Sequence, residues 1–243
     1  FVGLVGLSLM QSWRFPALQP EVWTLDNWGQ LLTQQEDLGI SLGMSLLLSI
    51  SVATIATLLG FWTSRYLAYH PWSQFWLVLT YLPFVLSPVI YAVCVNFFFI
   101  LWGLSGNIGG VLLGQLMIAY PFAIILFSRH WSADIRALEH LSLSLGGSRN
   151  QLFTKVLLPI SQGMLLVCFF QTFLISWFEY GLTTLIGVGK IQTLTLKVYQ
   201  YVNEANIYLA ALASCLLFFP PLLLIWANKR FVFRPIEEGR PNT

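Results

Sequence analysis

Charged residues punctuate this chain instead of spreading through it. None falls between Asp37 and Arg65, and ISLGMSLLLSISVATIATLLGFW inside that interval is long enough to cross a bilayer as a helix, which takes about 20 apolar residues. Between Arg65 and Arg129 the only side chain that titrates near neutrality is His70. That interval is too long for one helix, and LWGLSGNIGG at 101–110 divides it into spans at 72–101 and 108–128. Lys155 to Glu179 and Glu204 to Lys229 bound two more. Before Arg14 stand 13 uncharged residues, a partial first helix. The pattern predicts an all-α, polytopic membrane helix bundle of about six transmembrane helices, the first partial, as one domain over 1–243. The apolar opening without Met fits a truncated first helix, or the later part of a longer polypeptide, better than a cleaved signal peptide.

Within the spans, small residues recur at helical spacing. Ser41, Ser45, Ser49, Ala53 and Thr57 line one face, and Gly106, Gly110 and Gly114 repeat the pattern at the start of another span. In lipid such ladders let helix backbones approach closely. Pro83, Pro88, Pro121, Pro220 and Pro221 lie in or beside spans and invite kinks, because each lacks a backbone donor. LDNWGQLL at 25–32 and IQTLTLKVYQYV at 191–202 mix polar with apolar positions and read as short external or interfacial helices.

Composition agrees with the pattern. Hydrophobic residues make up 57% and charged residues 9%, with mean hydropathy +0.73, far too little charge to cover a soluble surface. A net charge of +2 gives no reason to expect a nucleic-acid partner. Cys94, Cys168 and Cys215 sit in apolar runs and read as small buried hydrophobes, with neither disulfide nor metal expected. The basic residues set the topology. An outward first helix puts Arg65, Arg129, Arg136, Arg149, Lys155, Lys229, Arg230, Arg234 and Arg240 in the cytoplasm, against Arg14, Lys190 and Lys197 outside.

One stretch breaks the apolar rule. DIRALEHLSLSLGGSRNQLFTKVLLPI, residues 134–160, is polar and falls on the cytoplasmic side of that topology. Ile135, Leu138, Leu141 and Leu145 form an apolar stripe at helical spacing. Gly146-Gly147 ends that helix, and Ser148 is placed to cap a second one returning to the membrane. An elbow with an exposed apolar ridge is a docking surface, though an amphipathic helix lying on lipid has the same pattern.

Chemistry of its own is scarce. No GxxxxGK[ST] phosphate loop occurs, and His70, His130 and His140 lie beside helix ends as ordinary interfacial residues. No Asp, Glu, Lys or Arg falls deep in a span, where an ion-coupled carrier usually needs one.

The register from Gly146-Gly147-Ser148 through Phe153 and Val156 to Leu158-Pro159 resembles the EAA loop of permease subunits of type I ABC importers. Pro159 follows Gly146 by 13 positions, as in that loop, whereas the EAA positions hold His140, Leu141 and Ser142, with Glu139 one place early. YLPFVLSPVIYAV (81–93), AYPFAIILFSRHWSADI (119–135) and SWFEYGLTTLIGVGKIQTLTLKVYQYV (176–202) extend the resemblance over about residues 25–230. The last of these is similar to the branch handling polyamines, ferric iron, thiamine and sulfate-like solutes.

The resemblance implies a permease without catalytic residues or cofactors of its own, in a bacterial inner membrane with loop and C-terminus cytoplasmic. ATP and magnesium would be bound by partner ABC ATPase subunits, an external binding protein would deliver the solute, and a second, different permease domain would complete the path. Residues 134–160 would form the ATPase-coupling loop, with Glu139, Leu141, Leu145, Gly146, Gly147, Arg149, Phe153 and Pro159 at the dock and Glu139 pairing with Arg149 across its rim. Glu179 beside Trp177 is the leading candidate for the solute path, together with Asn96 and Gln171. For Asn96, Gln115 and Gln171, interhelical hydrogen bonding is an equal reading, as is an interfacial carboxylate for Glu179. A self-contained carrier or channel, or a membrane scaffold holding a non-transport partner, are the alternative functions.

Overall fold

The computed structural model describes residues 2–12, 22–23, 28, 36–86 and 88–231. The expected helix at 25–32 lies outside the described residues except for Trp28, as do Arg14, Arg234 and Arg240. The chain begins with α1 (Val2–Ser8), followed by β1 (Met10–Ser12) and β2 (Val22–Trp23), which pair antiparallel with Met10 opposite Trp23. Among the described residues, every element after these two short strands is a helix: α2 (Glu36–Ala68), α3 (Ser73–Thr80), α4 (Leu82–Val85), α5 (Pro88–Leu101) and α6 (Ile108–Ser128) come first. They lead into α7 (Ala133–Ser144) and α8 (Arg149–Gln151). A π-helical segment (Leu152–Leu157) then joins α9 (Leu158–Trp177), followed by α10 (Gly181–Gly187), α11 (Leu194–Asn203) and α12 (Ile207–Phe231). This is an all-α polytopic membrane bundle.

Among the described residues, four helical stretches are long and apolar enough to cross a membrane: Asp37–Ala68, Ile108–Ser128, Arg149–Trp177 and Ile207–Trp226. A fifth span exists if Ser73–Val85 and Ile90–Leu101 are counted together, although they are bent by 95° at their break. The partial first helix corresponds to the seven residues of α1. The one span expected over 72–101 is therefore broken, and proline explains where. Pro83 sits in the first turn of α4, the backbone is extended at Leu86 (φ −81°, ψ 145°), and Pro88 is the first residue of α5. Each proline is at a helix start, where its missing N–H costs nothing.

The bundle is built on α2, which packs along both α6 and α9. Its small-residue ladder faces inward as the spacing predicts: Ser41, Ser45, Ser49, Ala53 and Thr57 are all buried. Farther along the same helix, a Cβ added to Gly60 would lie 2.5 Å from Ala123 Cβ on α6, so the two backbones meet there. Gly110 and Gly114 are buried on α6 against Ile186 of α10, whereas Gly106, the first of that set, belongs to the preceding turn at φ +75°. The predicted helix within 191–202 is α11, which buries Leu194, Lys197 and Tyr201 on one side. Thr193 caps it, and the Leu194 N–H donates to Ser45 Oγ at 2.7 Å.

A polar thread crosses the core. Glu179 Oε2 accepts from Thr183 Oγ1 (2.8 Å), and Thr183 Oγ1 accepts from Gln115 Nε2 (3.0 Å). Ser176 Oγ donates to Gln115 Oε1 (2.5 Å) and lies 3.4 Å from Ser49 Oγ. Four helices are tied in this way, as the interhelical reading of Gln115 anticipated.

Candidate functional site

The polar stretch folds as an elbow. Ser132 caps α7, its Oγ accepting from the Ile135 N–H at 3.4 Å, and Asp134 favours the positive end of that helix. The helix closes at Leu145. Gly146 adopts φ +82°, and the Gly147 N–H donates to Ser142 O at 3.1 Å, a turn only glycine enters cheaply. Ser148 then caps α8 as predicted. Its Oγ accepts from the Gln151 N–H (3.3 Å) while its own N–H donates to Gln151 Oε1 (3.0 Å), a reciprocal capping box. The π-helical turns at 152–157 stand just before Pro159, which has no N–H for the Lys155 carbonyl; wider winding accommodates that gap.

The orientation of α7 divides the expected stripe. Ile135 is buried, packed with Phe61, Phe127, Trp131, Leu152 and Leu157. Leu138, Leu141 and Leu145 face outward, the last 79% exposed. The inward position one turn after Ile135 belongs to Glu139, which is only 7% exposed.

Glu139 is held by Arg65, at the end of α2. Arg65 Nε donates to Oε1 at 3.0 Å and Nη2 to Oε2 at 2.9 Å, and the Tyr69 hydroxyl lies 3.4 Å from Oε1. Arg136 sits 5.0 Å over the Tyr69 ring. Burial first, and then the Glu139 carboxylate, raise the Tyr69 phenol above its usual range, so it remains a donor at neutral pH. The expected pairing of Glu139 with Arg149 is thus replaced by Glu139 with Arg65. Glu139 lies on the inner face of α7, and Arg149 stands exposed beyond the glycine turn.

Phe153 is not on the exposed ridge. It stacks on Trp62 with ring centroids 4.6 Å apart. Together with Arg149, Asn150, Arg65 and Leu143, these rings line a cleft of about 610 Å³ under the elbow. Trp131 Nε1 donates to Ser64 Oγ at 2.9 Å, fastening the turn before α7 to α2. Pro159 is exposed at the start of α9.

The four residues expected along a solute path are not brought together. Trp177 is 1% exposed, donates to Leu217 O at 2.9 Å and stacks on Phe173, so it belongs to the core of this chain. Glu179 uses both carboxylate oxygens to cap α10, accepting from the Leu182 N–H (2.8 Å), the Thr183 N–H (2.9 Å) and Thr183 Oγ1. Its carboxylate is thus hydrogen-bonded within the chain. Asn96 is half-buried and accepts from Ser105 Oγ at 3.2 Å. Gln171 alone is exposed, on the surface of α9.

Sequence reasoning missed Arg65, Tyr69, Ser64 and Trp131 as parts of the elbow's anchorage. The available signal was Arg65 itself, the charge that ends the first charge-free run, followed closely by Tyr66 and Tyr69.

Long apolar helices closed by a capped polar elbow define a polytopic membrane protein. No family model matches the chain. It is similar to the spermidine/putrescine transport system permease protein PotC of Escherichia coli strain K12, 24% identical over 206 residues, which span 82% of this chain and 76% of that protein. PotC of Shigella flexneri matches with the same values. The chain is thus a homologue of a transport permease, consistent with the polyamine-like branch that residues 176–202 resemble.

Proposed function

We propose that this chain is the permease subunit of an ATP-driven importer of the bacterial inner membrane, with elbow and C-terminus in the cytoplasm. The observation that carries the reading is the elbow: Leu138, Leu141 and Leu145 stand exposed on a helix whose opposite side is locked down by Ile135 and Glu139. A row of leucines held outward on a polar segment marks a surface that another protein covers. A cytoplasmic ABC ATPase is the partner that fits, and the similarity to transport permeases supports that choice. In this reading ATP and magnesium belong to the ATPase, and a second, different permease domain completes the path. An external binding protein delivers the solute.

The solutes in the relatives' names, spermidine and putrescine, are the first to test. A cleft of about 350 Å³ lined by Tyr180, Tyr199, Gln200, Asn203 and Glu204 offers phenol rings and the Glu204 carboxylate, which suit an ammonium group. The test is reconstitution of the full chain in vesicles. An ATPase should co-purify with it, and labelled spermidine should enter only with ATP and binding protein present. Transport by the chain alone would establish the carrier reading, and an assembly that binds partners but moves no solute would establish the scaffold.

A further inference from the structure

The elbow is attached to the bundle in two ways. Through the chain, residues 129–132 turn from α6, and toward α9 the path runs by the Gly146-Gly147 turn and a π-helical segment. Through side chains, it is attached to α2. Glu139, buried on an otherwise largely exposed helix, engages Nε and Nη2 of Arg65 in two parallel bonds of 3.0 and 2.9 Å. That fork fixes distance and orientation together, which a single contact does not. Tyr69 closes on the same carboxylate, and Arg136 returns from α7 to cover the Tyr69 ring.

We propose that Arg65 and Glu139 form a joint carrying displacement of the elbow directly into α2, the helix on which α6 and α9 pack, with Tyr69 and Arg136 as its outer support. The source of the displacement rests on the importer reading above; the joint itself does not. Both are positioning residues. Lysine cannot replace Arg65, because an ammonium lacks the planar fork that meets both carboxylate oxygens.

The full chain, assembled with its ATPase and partner domain in vesicles, tests this. With Cys94, Cys168 and Cys215 replaced, spin labels go on Tyr66 and Ala137, both exposed and neither part of the joint. The joint requires the same Tyr66–Ala137 distance distribution in the nucleotide-free and ATP-trapped states. In Glu139→Gln that distribution should broaden, and solute moved per ATP hydrolysed should fall about tenfold, within the range of ordinary coupling energies, while hydrolysis continues. Arg65→Lys keeps the charge without the fork and should show the same loss, which keeps the test open should Glu139→Gln fold poorly. A wild-type distance that changes with nucleotide, or an unchanged transport-to-hydrolysis ratio in both variants, overturns the joint. A wild-type chain that binds no ATPase ends the importer reading instead; the joint is then judged by the labels alone, where an unbroadened Glu139→Gln distribution overturns it.

Discussion

Replacing Gly60 with alanine tests how tightly the bundle is wound on α2. The new Cβ would lie 2.5 Å from Ala123 Cβ, 3.3 Å from the Ala123 carbonyl carbon and 3.4 Å from the Ile124 nitrogen. Methyl carbons rest near 3.5–4.0 Å, so α2 and α6 must separate by about 1 Å in a region where both are fully packed. Overpacking of this kind costs about 1–3 kcal/mol, set against a helix-propensity gain of about 1 kcal/mol for Gly→Ala. Gly43 on the same helix has no atom within 4 Å of an added Cβ, so Gly43→Ala keeps the gain without the clash. The two substitutions should therefore shift thermal unfolding in detergent or lipid in opposite directions. Trimming the opposing methyl supplies the decisive arm, because the remaining contacts at 3.3–3.4 Å are tolerable once Ala123 becomes glycine. Gly60→Ala with Ala123→Gly should recover about 1–2 kcal/mol relative to the sum of the single variants. Equal shifts at Gly43 and Gly60, or strict additivity in the double variant, would refute the close approach.

Four further outcomes follow from the geometry. Leu145→Asp should leave stability within about 0.5 kcal/mol, since the residue is 79% exposed, yet uncouple ATP hydrolysis from uptake. Gly147→Asp should uncouple too, because its Cβ would fall 2.7 Å from Ser142 O, and unchanged uptake in either variant sinks the docking claim. Gln115→Ala removes the shared partner of Thr183 and Ser176 and should cost about 1–3 kcal/mol in thermal unfolding, while Gln171→Ala, at an exposed position, should be silent. Burial lowers the His130 imidazole below its usual 6.5, so the folded chain holds it neutral beside Ser161 while the unfolded chain takes up a proton. Stability should therefore fall as pH drops below about 6.5, and His130→Gln should flatten that slope in pH-resolved unfolding.

Much of the fold was legible because membrane spans are written in charge spacing. Asp37, Arg65, Arg129, Lys155, Glu179, Glu204 and Lys229 bracket the observed helices closely. The Ser41–Thr57 ladder and the Ser148 cap were readable too, since each depends on residues a few positions apart. The inward face of α7 was not. The leucines predict a stripe, but which edge of it turns inward depends on Arg65, 74 residues upstream, and no local period reports that pairing. The break at Pro83 and Pro88 was visible as composition but not as geometry, because a proline within a span is compatible with a kink or with a new helix start. What holds Glu179 was not legible either: the N–H groups of Leu182 and Thr183, its own near neighbours, donate to its carboxylate.

The thread from Glu179 to Ser49 also limits how the protein is able to change shape. Its bonds span α2, α6, α9 and α10, with lengths of 2.5 to 3.4 Å. Sliding any one of these helices by a single residue moves its donor or acceptor by about 1.5 Å along the axis, enough to strand a buried amide or hydroxyl without a partner. Axial slip is therefore closed to this group, which travels as one block. Rotation of that block, and flexing of the proline-broken run from α3 to α5, are the motions left to it.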